Sequence, residues 1–260
     1  MIISYSNNFI FMHARKTAGS TITAALNRHI GAEDIQLGAW PDTIEAGGRF
    51  NETARRIARQ NFPSVFWPSF KKSLKEGRPN WAPEAVNEAM RRHYFDKGLQ
   101  GGTHSSAEDV RNYDPEIWDT AFKFGFVRNP WSHAVSDYHW RCHVRGVKSF
   151  DFKEYLLRLK DRDRPDPERI RPPLVTNWSI YTIANKIALN HVARFEDLAS
   201  ELDNISQKIG IKVEIGGIKS KGRVRDKSIE IRSMYDDETI EIVRSVYREE
   251  VEAFGYEPFV

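Results

Sequence analysis

The chain has one cysteine, no long apolar run and almost no excess of charge, and each of these absences narrows what it can be. Cys142 is the only cysteine among 260 residues, which excludes an intrachain disulfide and a cysteine-rich metal site. No apolar stretch is long enough to cross a bilayer, and the first residues lack the basic and apolar segments of a signal peptide. We therefore expect a cytoplasmic protein without a membrane span.

The overall charge gives no support to nucleic-acid binding. Lys and Arg exceed Asp and Glu by only 39 to 36 over 260 residues, so any site for an anion must come from local clusters. With 40% hydrophobic residues, a chain of this length can bury one large core. We expect a single domain over residues 1–260.

Short apolar segments predict the fold class. Residues 8–13 and 122–127 have the unbroken pattern of buried parallel strands, and each runs into a helix start. Residues 191–195 are a third candidate strand, followed by a helical pattern that stops near Gly210. This alternation predicts a three-layer α/β fold with a central, mostly parallel sheet. One long amphipathic helix packed on the sheet is predicted over residues 236–254.

The segment between about residues 38 and 101 differs from the rest, because basic side chains are interleaved there with aromatic ones. Arg55, Arg59 and Lys71 stand among Phe62, Trp67 and other rings. We expect a mostly helical insertion. Its basic face is either simply solvated or recruits an acceptor, and the sequence leaves both possibilities open.

The turn after the first predicted strand has the most chemical information. The apolar residues 9–12 lead into a small, basic and hydroxyl-rich turn, and helical spacing resumes from Ile22. Backbone amides at such a helix start point at an anion, so a P-loop-like phosphate cradle is predicted. It is not a Walker A loop, since its lysine precedes the glycine. The turn consists of Lys16, Thr17, Ala18, Gly19, Ser20 and Thr21.

A second anion motif follows the predicted strand at residues 122–127. Arg128 ends that strand, Pro130 suits the first turn of a helix, and Ser136 would lie two turns further on. An arginine fork with a nearby hydroxyl suits one terminal phosphate.

The two motifs together resemble those of sulfotransferases that depend on 3′-phosphoadenosine 5′-phosphosulfate (PAPS), in the branch related to carbohydrate sulfotransferases. Residues 16–21 look like the family's 5′-phosphosulfate loop, and Arg128 with Ser136 matches the spacing of its 3′-phosphate motif. The order of elements is similar over most of the chain. Arg15 and His133 depart from the family, which commonly has a proline and a second arginine at these positions.

The resemblance implies transfer of a sulfuryl group from PAPS to an acceptor hydroxyl, with 3′-phosphoadenosine 5′-phosphate (PAP) as the product. Such an in-line displacement needs a cation at the leaving oxygen and a base for the acceptor proton. Lys16 is the expected cation, and His104, which matches a histidine of the family branch, the expected base. No metal is implied. The expected donor-binding residues are Arg15, Lys16, Thr17, Ala18, Gly19, Ser20, Thr21, Arg128, Ser136 and, in a basic loop that the family has in this region, Arg223 and Arg225.

The acceptor is expected to be a carbohydrate, a glycan-like molecule or another small molecule with a free hydroxyl. Two other hypotheses stay open. One is a regulatory module that binds PAPS or PAP without turnover, and the other is an atypical P-loop kinase. Magnesium-dependent ATP binding would favour the kinase, because its chemistry needs the metal.

Overall fold

A computed structural model describes residues 1–75, 77, 80–216 and 230–259 of the chain. Contacts between residues divide the chain into two compact units, which are described one at a time. The first comprises Met1–Phe126 and the described part of Ser179–Ser220. The second comprises Val127–Trp178 and the described part of Lys221–Val260. The single domain over residues 1–260 stays a prediction.

A five-stranded sheet lies at the centre of the first unit, in the order β3-β1-β2-β4-β7. The three strands predicted from apolar runs are its neighbouring members β2, β4 and β7, and β2 is fully buried, as a central strand should be. A separate hairpin pairs β5 with β6. The strands are β1 (Ile2–Ser4), β2 (Phe9–Met12), β3 (Ile35–Gln36), β4 (Phe122–Val127), β5 (Thr182–Ile183), β6 (Lys186–Ile187) and β7 (His191–Arg194).

Strand β1 departs from the expected parallel arrangement. The pair β2–β4 is parallel, with Phe9 opposite Phe122 and Met12 opposite Gly125. In contrast, β1 is antiparallel to both β2 and β3, so the sheet is mixed. Residues 5–8, which connect β1 to β2, are too few for the crossover that a parallel pair requires. The sequence analysis missed β1 and β3 because they are only three and two residues long.

Helices account for most of the remaining described part of the first unit. In the segment between residues 38 and 101, α3 packs along α4. The predicted helix after β7 ends as expected, since Gly210 follows it with a φ of 70°. The helices are α1 (Gly19–Asn27), α2 (Trp40–Glu45), α3 (Glu52–Lys75), α4 (Ala82–Phe95), α5 (Ala107–Tyr113), α6 (Pro115–Thr120), α9 (Trp178–Tyr181) and α10 (Leu198–Ile209).

The described part of the second unit is helical beyond the end of β4. It contains α7 (Pro130–Arg145), α8 (Phe152–Lys160), α11 (Asp237–Val246) and α12 (Arg248–Phe254), and α11 packs on α7 and α8. The single long helix predicted over residues 236–254 is therefore wrong.

The break between α11 and α12 falls at Tyr247, whose backbone has a φ of −107° and a ψ of 26°. This side chain is fully buried, and its hydroxyl lies 3.2 Å from Nδ1 of His133 on α7. Continuous helical spacing from Ile240 to Val251 conceals this break, because both short helices present apolar residues to the same core.

Within the described residues, no helix is both long and apolar enough to cross a membrane.

Candidate functional site

The turn between β2 and α1 has an unusual backbone. Lys16 has a φ of 62° and Ala18 a φ of 60°, so two residues that are not glycine occupy the left-handed region. Each costs about 1–2 kcal/mol relative to an ordinary conformation. Strain of this kind is concentrated where a backbone is held for binding or catalysis. Left-handed residues that alternate with right-handed ones turn successive amides to the same side and form an anion-binding nest.

The start of α1 has no cap from its own side chains. Ala18 occupies the N-cap position without a side-chain hydrogen bond, and the first turn contains no acidic residue. Thr21 is 6% exposed, and within the described part of the chain its Oγ1 has no hydrogen-bond partner. A buried hydroxyl without a partner is costly. An anion at this helix start would accept a hydrogen bond from Thr21 and from the exposed ends of the backbone amides.

Gly19 is the first residue of α1, and it lies against the ring of His13. A Cβ at this position would come within 2.1 Å of Cδ2 and 2.2 Å of Nε2 of that ring. His13 itself is buried, and its Nδ1 is 3.4 Å from Oγ1 of Thr23. The start of α1 therefore packs directly against the imidazole of His13.

Gly19→Ala should destabilise the protein, because the buried imidazole cannot move aside without disturbing its own contacts. We expect the free energy of unfolding to fall by about 1–3 kcal/mol, the usual cost of overpacking a core. Chemical denaturation measures this change. Gly216→Ala is the matched control, since nothing lies within 4 Å of its added Cβ. Equal stability of the two variants would show that α1 does not depend on the close approach to His13.

The side chains of the turn are used in different ways. Thr17 is buried, and its Oγ1 donates a hydrogen bond to the carbonyl oxygen of Ala14 over 3.1 Å. This hydrogen bond stabilises the turn from within. Arg15, Lys16 and Ser20 are half-buried. Half-buried cations bind anions more strongly than fully solvated ones, because less water screens them.

His104 is held against this turn. It ends a 3₁₀ turn over Gly102–His104, and its Nδ1 lies 2.7 Å from the carbonyl oxygen of His13. A carbonyl cannot donate, so Nδ1 carries a proton and the neutral ring has its basic lone pair on Nε2. The rings of His13 and His104 meet edge to face, with centroids 5.1 Å apart. Within the first unit, the structure thus brings His104 next to the turn between β2 and α1.

A close approach of Gly38 to Thr103 also positions the turn that contains His104. Gly38 has a φ of 85°, and a Cβ there would come within 2.0 Å of Oγ1 of Thr103. Only glycine combines this backbone with this proximity. The position of His104 is therefore determined by Gly38 as well as by His13.

In the second unit, Arg128 and Ser136 lie as the spacing predicts. Arg128 directly follows β4, Asn129 caps α7 by accepting from the amides of Trp131 and Ser132, and Pro130 opens the helix. Arg128 and Ser136 are half-buried. His133 instead belongs to the interior, at 1% exposure. Arg223 and Arg225 lie outside the described residues.

The tryptophans of the chain differ in their burial. Trp40 and Trp118 are buried, as is Trp131, whose Nε1 donates to the carbonyl oxygen of Ile240. These three pack in the interior. Trp67 of α3 and Trp81, the residue before α4, belong to one aromatic cluster.

A strand, a basic turn and an uncapped helix start, with an oriented histidine beside them, are the features expected of a group-transfer site for an anionic donor. A model of the sulfotransferase family matches residues 1–257, so the chain belongs to the sulfotransferase family. Searches of curated proteins and of solved structures found no match. Family membership confirms the sequence-based prediction of a transferase that acts on sulfuryl groups.

The sequence analysis missed three supporting residues, which are His13, Thr23 and Gly38. Each acts through a contact between segments that are distant along the chain, such as the carbonyl of His13 with His104, 91 residues later. The glycine at position 38 offered one signal, since an isolated glycine often marks a close approach of two backbones.

Proposed function

We propose that the protein transfers the sulfuryl group of PAPS to a hydroxyl of a carbohydrate or glycan-like acceptor. The observation that carries this proposal is the cradle at the start of α1, with the buried hydroxyl of Thr21 and the half-buried Lys16 beside an oriented His104. The carbohydrate acceptor rests on the sequence resemblance alone.

The residues of the first unit suit the 5′-phosphosulfate of the donor. The start of α1 and the hydroxyls of Ser20 and Thr21 supply hydrogen-bond donors, while Arg15 and Lys16 supply positive charge. Thr17 contributes its backbone, because its hydroxyl already donates to Ala14. PAPS would supply the activated sulfuryl group, and the cradle needs no metal to neutralise it.

Two residues have separate chemical roles in the proposed transfer. Lys16 stabilises the negative charge that develops on the phosphate oxygen as its bond to sulfur breaks. His104 accepts the proton of the acceptor hydroxyl at Nε2 while the new bond from that oxygen to sulfur forms. The products are a sulfate ester, PAP and one proton, so atoms and charge balance.

In the second unit, we assign the 3′-phosphate of the donor to Arg128 and Ser136. Arg128→Ala should weaken the binding of PAP by about tenfold to a hundredfold, since hydrogen bonds to charged groups contribute about 1.5–3 kcal/mol. Binding of adenosine 5′-phosphosulfate, which lacks the 3′-phosphate, should change little. Isothermal titration calorimetry measures both affinities.

The control for this measurement is Arg248→Ala, which removes an exposed guanidinium from α12 in the same unit. It should leave both affinities unchanged. An equal loss for the two nucleotides in Arg128→Ala would contradict the assignment, because such a loss would not depend on the 3′-phosphate.

The proposed activity is tested by mass spectrometry of candidate glycans and cell extracts after incubation with PAPS. A gain of one sulfate mass in a hydroxyl-bearing acceptor, without added magnesium, supports the proposal. Tight binding of PAP with no sulfated product in any mixture would favour the non-catalytic module. Magnesium-dependent binding of ATP in preference to PAP would favour the kinase.

A further inference from the structure

Helix α3 presents large apolar side chains to solvent. Phe62, Trp67 and Leu74 are 48%, 61% and 65% exposed. Phe66 and Phe70 lie between them, with ring centroids 6.0 Å apart. Single exposed apolar residues are common on protein surfaces, but a contiguous patch marks an interaction site. We call this set the aromatic strip and include in it Trp81, the residue before α4, whose ring centroid is 4.9 Å from that of Phe66.

The strip differs from the buried side of α3, although Phe62 and Phe66 contact Trp81, which directly precedes α4. The buried residues of α3 are small or aliphatic, and they lie on the side that faces the interior. The strip residues Phe62, Phe66, Phe70 and Leu74 recur every fourth position, which places them along one row of the outer surface. The fold therefore leaves Phe62 and Leu74 of this row exposed and Phe66 and Phe70 half-buried.

The same outer surface is strongly basic. Lys71 and Lys75 follow Trp67 at intervals of four, so they flank the strip, and both are exposed. Arg55, Arg56 and Arg59 line an open cavity at the other end of the helix. Glu52, at the start of α3, is the only acidic residue of the helix. Positive charge thus lies at both ends of the apolar row, at Arg55–Arg59 and at Lys71–Lys75.

We propose that the outer face of α3 binds the surface of an anionic lipid bilayer. Aromatic and leucine side chains enter the boundary between headgroups and acyl chains, while lysine and arginine attract acidic headgroups. Tryptophan is favoured at that depth because its ring is apolar and its N–H remains near water. The proposal does not depend on the sulfotransferase reaction.

The shape of the face favours a bilayer over an acidic glycan. Leu74 is the most exposed residue of the strip, and an aliphatic side chain has no hydrogen bond or stacking surface to offer a sugar. The face is one side of a single helix and therefore convex, whereas sugars bind in clefts. A flat bilayer can contact the whole row at once.

Sedimentation of the purified full-length protein with vesicles tests the proposal. We expect binding to vesicles of phosphatidylcholine and phosphatidylserine, weaker binding to phosphatidylcholine alone, and release by salt. Lys71→Gln with Lys75→Gln should lower the partition coefficient about twenty-fivefold, since each basic residue near the surface contributes about fivefold. Trp67→Ser with Phe62→Ser should lower it about tenfold or more.

The matched control is Lys186→Gln with Ile187→Ser, which removes one exposed base and one exposed apolar side chain from the hairpin of the same unit. It should bind as the wild type does. Thermal unfolding shows whether each variant is folded. The proposal is overturned if the wild type does not bind the acidic vesicles, or if the strip variants bind them unchanged. Retention of the wild type by an immobilised acidic glycan but not by vesicles would also overturn it.

Discussion

Lys16→Ala should lower kcat by about a hundredfold to a thousandfold while PAP binding remains measurable, as is typical when one charge-stabilising group is removed from a transition state. The loss follows from where the charge develops. In the free donor, the bridging oxygen between phosphorus and sulfur bears little charge, and it becomes anionic only as the bond to sulfur breaks. A cation beside that oxygen therefore stabilises the transition state more than the bound donor.

Alanine is the appropriate replacement because of the backbone at this position. A residue with a φ of 62° is strained whether it is lysine or alanine, so the substitution leaves the cost of the turn unchanged. Glycine would remove the backbone strain together with the positive charge, so the effects of these two changes on the rate could not be separated. Lys208→Ala, which removes an exposed lysine from α10, is the control for loss of one positive charge in the same unit. Near-normal activity of Lys16→Ala would show that Lys16 takes no part in the mechanism. A higher KM for PAPS with an unchanged kcat would show that Lys16 only binds the donor.

Much of the fold could be predicted from the sequence, because the central strands are apolar on both faces. Phe9–Met12 is an unbroken apolar run, and Phe122–Val127 is apolar except at Lys123 and Gly125, with five of its six residues buried. Strand β3 has only two residues and therefore no period to detect. The break at Tyr247 was missed for a different reason, since it changes the backbone angles without interrupting the apolar spacing.

The candidate site also has features that the sequence predicts and features that it does not. Lys16 to Thr21 form one contiguous segment, so their spacing alone indicates an anion cradle. The strain at Ala18 was not predictable, because nothing in the side chain of alanine favours a positive φ. The contact of His104 with His13 was also hidden, since it joins a side chain to a carbonyl 91 residues earlier. Local motifs thus predict which groups are available, while long-range contacts decide how they are oriented.

His104→Asn should lower kcat about as much as His104→Ala, by about a hundredfold to ten-thousandfold if His104 is the general base. The comparison separates two roles of the ring. The amide of asparagine can replace Nδ1 as the donor to the carbonyl of His13, but it has no counterpart of the basic Nε2. A base is lost in both variants, whereas the hydrogen bond that positions the turn is lost only in alanine. Activity close to normal in His104→Asn would therefore show that the ring only positions the turn.

The pH dependence of kcat/KM gives a second measure of this role. A histidine that acts as a base is inactive when protonated, so the wild-type rate should fall towards acid pH, with a limb that reports this ionisation. In His104→Asn, the residual rate should lack that limb, since asparagine has no group that takes up a proton in this pH range. If the limb persisted unchanged in the variant, it would belong to another group, and the proton of the acceptor would have to leave by a route that does not include His104.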